Sequence, residues 1–111
     1  MFMMNNYKYG GIILLNFPFS NISEIKKRRA LVLVDSEDND ILVCRITGQI
    51  YNSIYDILIK DYLAIGLKIS SVIRIHKIAT LEKSMISKKL GELNKFQKNE
   101  VFEKLKLLFN L

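Results

Sequence analysis

Ala30-Leu31-Val32-Leu33-Val34, then Asp35-Ser36-Glu37-Asp38-Asn39-Asp40, then Ile41-Leu42-Val43-Cys44-Arg45-Ile46-Thr47: two aliphatic runs separated by six polar residues. Runs of this length, rich in Val and Ile and bounded by Asp, Asn and Ser, read as strands, and the short polar link makes them a hairpin. On the N-terminal side, residues 20–29 are polar and end in Lys26-Lys27-Arg28-Arg29, which predicts a loop that turns basic. Before it, Gly10-Gly11 opens Ile12-Ile13-Leu14-Leu15-Asn16-Phe17-Pro18, a buried strand that should end at the chain's single proline. On the C-terminal side, 54–59 and 71–75 read as strands flanking a polar link at 61–68, and Ile78-Ala79-Thr80-Leu81 begins another short element. The tail changes period. Phe96, Val101, Phe102, Leu105, Leu108 and Phe109 fall on one helical face, Gly91 stops the preceding element, and Asn94 with Gln97 forms a capping box. Five or more short strands followed by one helix predict a mainly β fold with α, a small barrel or strongly bent sheet with the helix over one open side.

The 111 residues suit one domain spanning 1–111, with 1–8 expected to be loosely ordered. Half the residues are hydrophobic, enough for one core. A single cysteine, Cys44, excludes an internal disulfide and favours a reducing compartment. No apolar run approaches the roughly 18–20 residues of a bilayer span. The opening Met1-Phe2-Met3-Met4 has neither a basic n-region nor a small-residue cleavage site, so a cytoplasmic location and no membrane partner are expected. The net charge of +6 favours an anionic partner.

Several chemistries are excluded by composition. One His and one Cys make no zinc site of that ligand type. Phosphate-binding and dinucleotide-binding glycine loops are missing. The acidic run 35–40 has Asp40 where a calcium loop needs Gly and Ile46 where it needs Glu, so it reads as a solvated turn. RNA cleavage remains open, because the ribose 2′-hydroxyl is itself the nucleophile. The protein then supplies a proton acceptor, donors for the charge on the phosphorane, and an acid for the leaving oxygen. Arg28, before a strand, has the planar fork for the second task. Thr47 ends a strand, and Arg74 and His76 stand two apart on another, hence on one face. Each has a plainer reading: solvated loop charge, turn residue, strand-face ion-pair partner and half-buried histidine.

Together these segments resemble MazF/PemK-type toxins of bacterial toxin–antitoxin pairs. Residues 10–20, GGIILLNFPFS, resemble the opening "G-D-I-[VW]-L-V-x-F-P-F-[ST]"; 27–33 resemble "K-R-P-[AV]-L-V-[LI]"; 45–50 resemble "x-I-T-[SA]-Q-x"; 71–77 resemble "S-[VY]-[VI]-R-x-x-K"; and 91–93 resemble the closing "G-x-L". The resemblance runs in order from about Tyr9 to Leu111. It implies an SH3-like barrel of the CcdB/MazF/Kid type with a C-terminal helix. It also implies cofactor-free, metal-independent, sequence-selective cleavage of single-stranded RNA, leaving a 2′,3′-cyclic phosphate and a 5′-hydroxyl. The family's catalytic Arg and Thr fall on Arg28 and Thr47, and the strand Arg implicated in some relatives falls on Arg74. His76 stands where some relatives carry an acidic residue, which makes it a candidate catalytic proton acceptor. Lys26, Lys27, Arg29, Gln49 and Lys77 are the implied RNA contacts. Gly11 replaces the family's Asp, and Arg29 replaces its Pro, which frees the backbone and adds a charge. The implied partners are single-stranded RNA, a cognate antitoxin with an acidic disordered segment, and a second copy in a homodimer. A gyrase-poison-like toxin on the same barrel and a non-catalytic nucleic-acid-binding barrel are the competing readings. The first relies on C-terminal residues and lacks the paired Arg and Thr.

Overall fold

A computed structural model describes residues 7–18 and 25–111, and among them the hairpin read from sequence is the centre of the sheet. The strands are β1 (Gly11–Pro18), β2 (Ile25–Asp35), β3 (Asp40–Thr47), β4 (Asp56–Ile59), β5 (Ser71–Glu82) and β6 (Ile86–Glu92), and helix α1 covers Lys95–Phe109. They form one antiparallel six-stranded sheet in the order β4-β5-β3-β2-β1-β6, an SH3-like bent sheet with one C-terminal helix.

The acidic turn folds on its own side chains. Asp35 Oδ1 accepts from the Glu37 amide at 2.8 Å, Asp38 Oδ1 accepts from the Asp40 amide at 2.9 Å, and Ser36 Oγ donates to Asp38 at 2.7 Å. These local bonds offer the backbone a turn where a strand would otherwise continue. The other oxygen of Asp35 accepts from the Tyr7 amide, and Lys83 Nζ reaches Asp35 at 2.6 Å. Tyr7 is thereby tied down. Residues 1–6, which make up most of the segment expected to be loose, lie outside the described residues, as do residues 19–24 of the predicted loop.

Side-chain alternation gives the sheet two apolar faces. The larger core gathers Ile12, Leu31, Cys44, Ile46, Ile73 and Ile75 under Leu93 and Val101. The smaller gathers Ile13, Leu15, Ala30, Val32, Ile41 and Val43. Cys44 is a core residue, and burial pushes its thiol up to about 12.

Three elements differ from the sequence reading. Residues 26–29 belong to β2 rather than a loop, because they pair with Leu14 to Phe17; Lys26 and Lys27 stand exposed, and Arg28 and Arg29 are half-buried. The run 78–81 is the second half of β5, because an irregularity between Cys44 and Arg45 absorbs residues 75–77 without ending the strand. Gly91 lies inside β6. A Cβ on Gly91 would stand 2.1 Å from the Ile65 carbonyl oxygen, and one on Gly66 2.0 Å from that of Leu90. Two backbones therefore touch at these glycines. Gly91→Ala is expected to destabilise the fold by about 3 kcal/mol, the upper end of overpacking costs, because backbone cannot rotate away. Thermal unfolding of the variant checks this, and an unchanged midpoint would contradict the close approach.

The helix starts as its sequence specifies. Asn94 Oδ1 accepts from the Gln97 amide, and Gln97 Oε1 accepts from the Asn94 amide, each at 2.8 Å. Its apolar face is split, however. Val101 is buried and Leu105 and Leu108 pack on the larger core, whereas Phe96, Phe102 and Phe109 are 72, 53 and 57 % exposed. The sheet covers only the 101–105–108 stripe.

Candidate nucleic-acid interface

Alternation along β2 sends Arg28 to the face of Ala30 and Val32, and Arg29 to the face of Leu31 and Leu33. On β3, Arg45 and Thr47 follow Val43 onto Arg28's face. The β2–β3 ladder pairs Ala30 with Arg45 and Arg29 with Ile46, so the next facing positions are 28 and 47. The hairpin thus returns the two ends to one place.

Arg28 lines a cavity of about 470 Å³ with Leu15, Phe17, Ala30 and Val43 in its apolar lining. Arg28, Arg29, Arg45 and Lys77 line it as well, with no carboxylate among the described lining residues. Arg28 is weakly engaged, donating to the Lys27 carbonyl at 3.4 Å. Cations gathered over an apolar surface without counter-charge raise the local positive potential and favour an anion with flat apolar parts.

Thr47 Oγ1 accepts from the Gln49 amide at 3.2 Å, which leaves its hydroxyl proton to donate elsewhere. From it a chain of contacts runs back into the fold. Tyr51 OH donates to Gln49 Oε1 at 3.1 Å, and the Arg74 guanidinium lies 3.8 Å from the Tyr51 ring centroid. Arg74 Nε donates to Asp56 Oδ1 at 3.1 Å, with the two side chains only 10 and 7 % exposed, and Asp56 Oδ2 accepts from the Ser53 amide.

The remaining expected residues spread around this centre. Lys77 joins Arg28 in the cavity. Lys27 is exposed and donates to Asn16, while exposed Lys26 precedes Arg28 on β2. Arg29 is half-buried, with burial drawing its guanidinium below its ordinary value, and it donates to Ser71 Oγ. His76 sits at the β5 irregularity, its ring 5.5 Å from that of Tyr55 and its Nδ1 buried, with no hydrogen-bond partner among the described residues. Arg74 instead reaches Asp56 and Tyr51. Sequence reading missed Arg45, Tyr51 and Asp56 as site residues. Arg45 carried a signal, since it stands two residues before Thr47 and shares its strand face. The Asp56–Arg74 pair joins separate strands and left no local trace. Among the described residues, no three His, Cys, Asp or Glu side chains converge to hold a metal, and no helix is long and apolar enough to cross a membrane.

A family model described as "PemK-like, MazF-like toxin of type II toxin-antitoxin system" matches residues 8–109. No curated protein matches the sequence. Among solved structures, the chain is similar to the Mycobacterium tuberculosis toxin MazF-mt6, with 17% identity over 89% of this chain and 97% of that one, at a TM-score of 0.72. It is similar to an endoribonuclease from a mycobacterial species solved with its cognate antitoxin, with 14% identity over 96% and 97% and a TM-score of 0.78. A MazE-MazF structure from Deinococcus radiodurans contains a third such chain, with 21% identity over 95% and 97% and a TM-score of 0.78. At these identities the likeness is one of fold.

Proposed function

The chain belongs to the PemK-like, MazF-like toxins of type II toxin–antitoxin systems, and from that premise we propose that it is a metal-independent endoribonuclease acting on single-stranded RNA. The observation that carries the reading is a cationic cavity lined by Arg28, with no carboxylate among its described lining residues, and Thr47 one position beyond the last β2–β3 pair, Arg29–Ile46. The ribose 2′-oxygen forms the new bond to phosphorus as its proton leaves, the bond to the 5′-oxygen breaks, and that oxygen takes up a proton. A 2′,3′-cyclic phosphate and a 5′-hydroxyl result. Arg28 holds the charge on the phosphorane, and Thr47 donates its hydroxyl to a nonbridging oxygen or fixes the 2′-hydroxyl. Arg74 and His76 act from behind these groups: Arg74 anchors Asp56 and Tyr51, and His76 packs on Tyr55. An antitoxin with an acidic, disordered segment blocks the same cations, in competition with RNA. Incubating the purified protein with a long RNA in excess EDTA tests the reading. Cutting with cyclic-phosphate ends is expected, and RNA left intact with or without divalent cations would overturn it.

If His76 serves as support, His76→Gln should keep the acid limb of the pH–rate profile. Loss of that limb would make the imidazole the proton acceptor instead. The outward Phe102 and Phe109, two helical turns apart on one side of the helix, supply an apolar face for a second copy. Sedimentation at micromolar concentration is expected to show twice the chain mass, and Phe102→Glu to lower it towards the monomer.

A further inference from the structure

Arg29 lines two cavities. One is the Arg28 cavity; the other, about 330 Å³, lies among Arg29, Lys68, Ile69, Lys88 and Leu90. Its wall is fixed by the backbone contact between Gly66 and the Leu90–Gly91 segment. Among the described residues no carboxylate lines either cavity. Arg29 Nη1 is held by the neutral hydroxyl of Ser71, whose own proton goes to the Ile69 carbonyl at 2.9 Å. Its Nη2 lies beside Gly48, 3.9 Å from where a Cβ would stand, next to Thr47 in the chain. Among the described residues no carboxylate pairs with Arg29, Lys68 or Lys88. Ile69 adds an apolar side chain, 53 % exposed, to the same cavity.

The two cation groups stand at neighbouring residues of β2 on its opposite faces, so a ligand that engages both carries charges linked along a backbone and is not an isolated ion. The apolar patches between the charges suit nucleobase faces. The planar fork of Arg29 matches a phosphodiester, whose charge sits on a chain of fixed repeat. Resting on the reading of the chain as an RNA-cutting enzyme, we propose that the second cavity is a subsite for a nucleotide flanking the cleaved step. There Arg29, Lys68 and Lys88 hold a backbone phosphate of the strand whose scissile phosphate lies beside Arg28, and a base rests on Ile69 and Leu90.

The test compares the parent with Arg29→Gln and with Lys68→Gln/Lys88→Gln, whose lysines are exposed and do not endanger folding. Lys95→Gln, on the helix, removes a charge elsewhere as the control. Each is assayed on a long single-stranded RNA and on a short oligonucleotide cut at the same step and lacking the flanking nucleotides. The subsite variants should raise KM on the long RNA by about tenfold and lower the salt slope of binding by about 0.7 for each phosphate no longer held. The rise should be much smaller on the short oligonucleotide, and the control should match the parent on both. An equal rise on both substrates, or none, overturns the subsite. Unchanged RNA kinetics with weakened binding of poly-glutamate also overturn it and give the cavity to an acidic protein segment. A parent that cuts neither RNA removes the proposed function itself, whereas an active parent with unchanged variants removes this inference alone.

Discussion

Replacing Arg28 with alanine is expected to slow RNA cleavage by about 10²–10³, or roughly 3–4 kcal/mol of transition-state stabilisation, the usual cost of losing one preorganised donor. The fold should survive. Arg28 is only half-buried and its bond to the Lys27 carbonyl is long, so little native structure depends on it. Thr47→Ala should cost a similar factor, and Thr47→Ser, which keeps the hydroxyl, should recover most of it. Lys26→Ala removes a charge from the same strand away from the facing 28/47 positions. Its loss should be several-fold, confined to RNA affinity, and should fade as salt is raised. Single-turnover cleavage separates these cases, because a loss in binding is overcome by excess enzyme and a loss in chemistry is not. An Arg28→Ala protein that cuts RNA within a few-fold of the parent would return Arg28 to the role of a solvated charge.

That contrast was legible in the sequence because it depends on one hairpin. The aliphatic runs 30–34 and 41–47 and the acidic turn fix which residues pair, and the pairing runs out to Arg29 and Ile46, one position short of 28 and 47. The helix was legible for the same local reason, since Asn94 and Gln97 satisfy each other's backbone amides. The strand reading faltered where pairing overrides local pattern. Lys26 to Arg29 look like a loop by composition, yet β1 lies alongside and takes up their backbone bonds. Ile86 to Glu92 form an edge strand whose exposed lysines carry no core-facing alternation, so nothing in their order announces β6. Gly91 looked like a terminator, and its function is the close approach to Ile65 from a distant turn. The site divides along the same line. Arg45 was visible by strand parity, whereas Asp56 and Tyr51 find Arg74 only through the β4–β5 pairing.

The pair so formed carries the largest expected effect on stability. Asp56→Ala would leave the Arg74 guanidinium nearly buried against the Tyr51 ring without its carboxylate, and an uncompensated buried charge costs about 3–5 kcal/mol. Domains of this size have about 5–15 kcal/mol in hand, so the variant should unfold at a much lower temperature, by roughly 4–8 °C for each kcal/mol lost. The double replacement Asp56→Leu/Arg74→Met removes both charges at similar volume. It should recover most of that stability, because a well-packed apolar pair often equals or exceeds a buried ion pair. The same protein separates two roles for Arg74. If the guanidinium acts from behind the site, through Tyr51 and the Gln49 side chain towards Thr47, the double variant should cut RNA within about tenfold of the parent, the scale of a loosened positioning group rather than of a missing phosphorane donor. If Arg74 acts on the reacting atoms, the double variant should melt like the parent and lose activity to the extent that Arg28→Ala does.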